Sequence, residues 1–128
     1  SVDQIVALFQ EAGAQAKVSS IHVNGWFGSY DKLSMAGTLL RDTFDLDIKS
    51  DAIVYVGDSP NDEPMFAAIP LSVGVANVVD FADRLKAKPA YVTPSRSGAG
   101  FAELADFLLA ARRTNEAPAE FSRLEGIP

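Results

Sequence analysis

Ala52-Ile53-Val54-Tyr55-Val56-Gly57-Asp58-Ser59-Pro60-Asn61-Asp62 is the run on which the fold turns. Its first five residues are apolar on both faces and rich in β-branched side chains, the pattern of a strand in the middle of a parallel sheet. Gly57 lets the chain turn sharply and presents Asp58 at the edge of that sheet. In open parallel sheets, ligands bind beyond the carboxyl ends of the strands. Asp62 follows at the start of a helix, and two carboxylates so close repel unless a cation or a donor lies between them. Oxygen ligands of this kind suit magnesium, which keeps several waters and is shared with a substrate phosphate. By composition alone, Asp-Ser-Pro-Asn-Asp reads rather as turn and N-cap chemistry. Other positions decide between the two.

Outward from this run, strand and helix alternate. Upstream, Leu33, Ala36, Leu39, Leu40 and Phe44 fall at helical spacing behind Asp31, a fitting N-cap. Downstream, Pro64 to Ala68 predicts a short helix, Leu71 to Val75 a strand, Val79 to Leu85 a helix and Ala90 to Thr93 a third strand. Gly100 to Arg112, with Phe101, Leu104, Ala105, Leu108 and Leu109 on one face, predicts the last helix. Short connections between alternating elements imply βαβ units and an open parallel sheet. Residues before about Tyr30 join this alternation poorly. Val2 to Ala16 predicts a helix, weakened by Gly13, and Val18 to Phe27 alternates like one half-buried strand.

The 128 residues carry a net charge of −6, with 48% hydrophobic and 22% charged side chains. That is a globular composition, with no basic surface for a nucleic-acid backbone. Without cysteine, disulfides and thiolate metal sites are excluded. No apolar run approaches the roughly 18 residues of a membrane span, and Ser1-Val2-Asp3-Gln4 has no signal-peptide features. A cytoplasmic protein with no membrane partner is expected.

Set side by side, these features resemble haloacid dehalogenase superfamily phosphatases. Gly57-Asp58-Ser59-Pro60-Asn61-Asp62 looks like the fourth motif of that family. Lys32, at the start of a helix upstream, resembles its third-motif lysine. Val73-Gly74-Val75-Ala76-Asn77, then Thr93 with Gly98-Ala99-Gly100, resemble segments of the large-cap (Cof-like) branch, which includes mannosyl-3-phosphoglycerate phosphatases. The likeness runs over about residues 18 to 111.

The resemblance implies an α/β fold: the C-terminal half of a Rossmann-like core over 31–113, preceded by the end of an α+β cap domain over 1–30 and followed by a loose tail over 114–128. It implies catalytic roles for Lys32, Asp58, Asn61 and Asp62, with magnesium held directly by Asp58 and supported by Asp62. Asn61 would donate to the phosphate or orient the nucleophile, and Lys32 would bridge phosphate and nucleophile. His22 and Asn24, on a cap strand, would reach the substrate, a small phosphorylated metabolite such as a sugar phosphate. By residue type alone His22 reads rather as an ordinary exposed strand residue, Trp26 as packing on the domain junction, and Arg96 as a surface arginine rather than an anion contact.

One departure is large. The family nucleophile belongs to an Asp-x-Asp-x-Thr/Val strand, and Asp45-Leu46-Asp47-Ile48-Lys49 lies on the wrong side of Lys32 and reads as loop. The chain is therefore expected to be the C-terminal portion of a phosphatase acting through a phospho-aspartate, and inactive by itself. Two other readings stand beside it. One is the phosphorylation domain of an ion pump, against which Ser59 in place of glycine counts. The other is a non-catalytic binding domain, against which the intact Lys32, Asp58, Asn61 and Asp62 set counts.

Overall fold

The computed structural model describes residues 1–19, 21–114 and 122–123. The chain opens with helix α1 (Val2–Glu11), whose capping box ties Ser1 to Gln4. Expected to reach Ala16, the helix stops earlier because Gly13 adopts a φ of +78° and turns the backbone out of it. The residues after it join strand β1 (Gln15–Val18), which pairs antiparallel with β2 (Val23–Trp26) in the register Val18↔Val23 to Gln15↔Trp26.

The single strand expected over Val18 to Phe27 is thus a correction: the segment is the turn and second strand of a hairpin. Residues 19 and 22 close the turn, the Ser19 amide donating to the His22 carbonyl at 2.8 Å and the His22 amide to Ser19 Oγ at 3.0 Å. The only sequence mark of the reversal is Ser19-Ser20, two successive polar residues that shift the apolar phase between Val18 and Ile21. α1 packs against both strands, and Phe9 lies so close to Gly25 that any side chain there would collide with its ring.

Helix α2 (Lys32–Phe44) starts at the expected N-cap, Asp31, with Ser34 completing a capping box, and ends at Asp45 in a left-handed conformation. Strand β3 (Tyr55–Gly57) leads through the 3-10 turn Pro60–Asp62 into helix α3 (Glu63–Ala68). Strand β4 (Ser72–Gly74), a 3-10 segment over Ala76–Arg84, strand β5 (Tyr91–Val92) and helix α4 (Ser97–Thr114) complete the alternation. Val78, Ala82 and Leu85 are buried along the 3-10 segment and its end, where an α-helix was expected over Val79 to Leu85.

The second sheet has the order β3-β4-β5-β6, with β3, β4 and β5 parallel. This is the open parallel sheet that the alternation predicts, and the partial Rossmann-like α/β core that the resemblance implies. Strand β6 (Ser122–Arg123) adds an antiparallel edge against β5, within a stretch read as loose tail. The rest of that tail, 115–121 and 124–128, lies outside the described residues. β3, expected in the middle of the sheet, is instead an edge of it among the described residues, and Val54 just before it is exposed. Asp45 to Lys49 is loop, as expected.

Phe66, Val78, Leu85 and Val92 form the core between sheet and helices, and Tyr55 packs on it edge-on to Phe66, ring centroids 5.9 Å apart. Gly74 is buried in the middle strand. A Cβ there would sit 2.6 Å from Val78 Cγ1 and 2.9 Å from Pro89 Cγ. Gly74→Ala is expected to lower stability by about 1–3 kcal/mol through overpacking, read as a lower urea midpoint with an unchanged slope.

Candidate active site

The site is built at the carboxyl end of β3. Beyond Gly57 the chain loops so that the amides of Asp58 and Ser59 point back at Asp62, donating to its Oδ2 at 2.9 and 3.3 Å. The other oxygen, Oδ1, accepts from Lys32 Nζ at 2.6 Å and from the Tyr55 hydroxyl at 2.5 Å. Asp62 is thus buried with donors on both oxygens, which is how a buried charge is tolerated. Only glycine fits at position 57, because a Cβ there would lie 2.6 Å from Asp62 Oδ2.

Lys32 reaches this carboxylate from the first residue of α2. A lysine at a helix N-terminus opposes the helix dipole, and Asp31 beside it offsets this. The Ser34 amide donates to Asp31 Oδ1 at 2.7 Å and holds that carboxyl below its usual pKa range, with the Ser34 hydroxyl next in effect. The ammonium also donates to the Tyr55 hydroxyl, at 3.4 Å. An ammonium has three N–H groups, so one remains for a ligand.

Lys32, Asp58 and Asp62 line one open cleft, together with Ser97 and Gly98 from the start of α4 and Phe101. Lys32 and Asn61 also line a second, larger cavity, with Asn24, Trp26 and Tyr30. Ser59 is buried and donates from Oγ to Asn61 Oδ1 at 2.6 Å, so that Asn61 is held through its oxygen and not through its amide nitrogen. Four of the sequence-predicted residues, Lys32, Asp58, Asn61 and Asp62, are therefore clustered, and Asn24 lies on the cavity beside them. His22 is not among the cavity's lining residues; it sits exposed in the hairpin turn. The Arg96 guanidinium is paired with the Asp80 carboxylate on the surface.

The donor set fits a magnesium ion in one respect. No hydrogen bond or ion pair engages the Asp58 carboxylate among the described residues, and it faces the cleft. Magnesium commonly takes one or two carboxylates and fills its remaining positions with water and phosphate oxygens. Asp62 fits less well as a direct ligand, since both of its oxygens already accept hydrogen bonds. The described residues contain no group of three or more acidic, histidine or cysteine side chains that would cage a metal by themselves.

Tyr55 was read only as part of a buried strand. Its signal was available: a phenol among Ile53, Val54 and Val56 needs a hydrogen-bond partner when half-buried. Burial pushes its pKa well above the ordinary range, and the hydrogen bond and negative charge of Asp62, then the charge of Asp58, push it further. The direction of that shift favours the protonated phenol, the form that donates to Asp62. Ser97 was missed as well. Held at a φ of +53° by its amide's 2.7 Å bond to Asn77 Oδ1, it brings the start of α4 to the cleft, and no sequence pattern signals that contact.

A family model described as haloacid dehalogenase-like hydrolase matches residues 30–104, a stretch that includes Lys32 and the whole Gly57-to-Asp62 run. No curated protein and no solved structure matches the chain.

Burial raises the Asp62 pKa, but hydrogen bonds from Lys32, Tyr55 and the Asp58 amide outweigh it, and the net shift is downward. A carboxyl lowered in the folded state stabilises fully above its unfolded pKa, and the benefit disappears as pH falls through the folded value. Stability is therefore expected to fall as pH drops below about 4, and Asp62→Asn to flatten that dependence. Tyr55→Phe is expected to cost about 1–3 kcal/mol at pH 7 and to shift the acid transition upward. Urea denaturation across the pH range measures both.

Proposed function

The chain belongs to the haloacid dehalogenase-like hydrolase family, and from that premise we propose that it is the metal- and phosphate-binding half of a phosphate monoester hydrolase. The observation that carries this reading is the shared cleft: the Lys32 ammonium and the open Asp58 carboxylate meet at the carboxyl end of a parallel strand. Phosphoryl transfer needs little covalent chemistry from the protein. It needs the phosphate to be positioned and its developing charge offset.

In this proposal Lys32 presents its remaining N–H to a phosphate oxygen. Asp62 and Tyr55 hold the ammonium at two of its three donors, so it does not have to be oriented during the reaction. Asn61, fixed through its side-chain oxygen by Ser59, offers its amide N–H2 to the phosphate. Asp58 holds the magnesium ion, and that ion, when bound, supplies positive charge to the phosphate oxygens. Asp62 supports Asp58 through the backbone, since it anchors the Asp58 amide at 2.9 Å. The accepting carboxylate, which would become the phospho-aspartate, would come from polypeptide outside this sequence, beside β3, which is an edge of its sheet among the described residues.

In a protein that joins this chain to its nucleophile strand, Asp58→Ala is expected to abolish magnesium-dependent phosphate release from p-nitrophenyl phosphate. Lys32→Ala should slow it by about 10²–10³-fold, the scale of losing one preorganised charge donor. Chelation should stop the reaction and added magnesium restore it. Unchanged turnover in Asp58→Ala would remove the metal-ligand assignment. Measurable turnover by the 128-residue chain alone would remove the external nucleophile.

A further inference from the structure

The larger cavity, about 440 Å³, shares Lys32 with the Asp58 cleft. Its size is that of a small-molecule site. A phosphate ester held at Lys32 would extend its organic half into this space, so the walls decide what that half can be.

One wall is aromatic. Trp26 and Tyr30 lie with ring centroids 6.4 Å apart and planes inclined by 38°. The indole N–H is committed to the Tyr30 carbonyl at 2.8 Å, which fixes the ring and leaves it no donor to offer. Leu33, Met35, Pro64 and Met65 line other parts of the cavity. The polar residues of the lining are mostly engaged already. Asp31 accepts from the Ser34 amide, Asn61 Oδ1 from Ser59, and Lys32 donates to Asp62 and Tyr55. Among the lining side chains, those of Lys17, Asn24 and Tyr30 make no hydrogen bond within the described residues, and Asn61 is held only through its oxygen.

A polyhydroxylated group would set several hydroxyls, each needing a partner, against walls whose exposed surface is largely apolar. A flat aromatic ring brings no such demand. It would stack on Trp26 and Tyr30 and meet the sulfur atoms of Met35 and Met65 favourably. Lys17 and Asn24 would then serve one polar substituent. Resting on the phosphatase reading, we propose that the substrate is the phosphate ester of an aromatic ring compound, with phosphate at Lys32 and the ring against Trp26 and Tyr30. A sugar phosphate, suggested by the family resemblance, matches these walls less well.

Trp26 is the only tryptophan in the chain, so its fluorescence reports on this cavity alone. The protein is titrated, with magnesium present, against phenyl phosphate, phenol and glucose 6-phosphate, and inorganic phosphate binding is followed by phosphorus NMR. Phenyl phosphate is expected to quench Trp26 saturably and to bind at least about tenfold more tightly than glucose 6-phosphate, the scale on which pocket chemistry discriminates. Met35→Gln, a neutral change at an exposed position that the core does not need, should lower that preference and leave inorganic phosphate binding unchanged. If inorganic phosphate binds but phenyl phosphate has no advantage over glucose 6-phosphate, the aromatic substrate is overturned and the phosphatase reading stands. If phenol binds as tightly as phenyl phosphate and Lys32→Ala changes neither, the cavity does not serve the phosphate site and the proposal fails. If neither inorganic phosphate nor any ester binds, both readings fall.

Discussion

A buried carboxylate is tolerable only when its lost hydration is replaced, and the Asp62 carboxylate has four donors converging on it. Two are amides of its own loop, one is a phenol on the preceding strand, and one is an ammonium from a helix far upstream. This arrangement ties together three pieces of chain, the loop itself, the strand before it and the start of α2. It bends the loop after β3 back on itself, sets the start of α2 over the sheet edge, and gives Tyr55 a use for its hydroxyl. The geometry of Lys32 and Asp58 depends on it. The ammonium is oriented by its bonds to Asp62, and the Asp58 amide is bound to the same carboxylate while its side chain is left open to the cleft.

The backbone makes room for this at one residue. With any side chain at position 57, the strand could not pass so close to Asp62, and the loop amides would lose their acceptor. Further along, the Asn77–Ser97 clasp brings the beginning of α4 against the same cleft. The hairpin contributes differently. Its strands form a separate two-stranded sheet, with α1 packed on them, and Trp26 and Asn24 stand on the side that borders Lys32. The two concavities thus differ in chemistry, one charged and polar at the sheet edge and one largely apolar beside the hairpin, with Lys32 common to both. Among the described residues no helix is long and apolar enough to cross a membrane.

Several elements were legible because their signals are local. Asp31 caps α2 through its own side chain, Gly57 permits a turn, and the β-branched runs at β3 and β4 form strands, all consequences of neighbouring residues. Other features were not. The reversal between Val18 and Val23 has one local signal, the paired Ser19-Ser20 that shifts the apolar phase from Val18 to Ile21, and so short an interruption is easily absorbed into one strand. The stretch after β4 took 3-10 geometry where its apolar spacing suggested an α-helix, since both geometries bury residues three or four apart. His22 was placed by that same misread strand and lies in the turn.

What the sequence by itself determined is the chemistry available and its order: a glycine-led acidic loop after a buried-type strand, a capped lysine at a helix start, and an α/β alternation around them. Those follow from residue types and short-range spacing, which do not depend on the rest of the chain. Only the tertiary structure decided the pairings: that Lys32 binds Asp62 and leaves Asp58 open, that Tyr55 takes part, and that Trp26 and Tyr30 wall the adjoining cavity. Contacts between residues distant in the chain are set by how whole elements pack and by which buried polar groups must find partners. Local pattern carries neither.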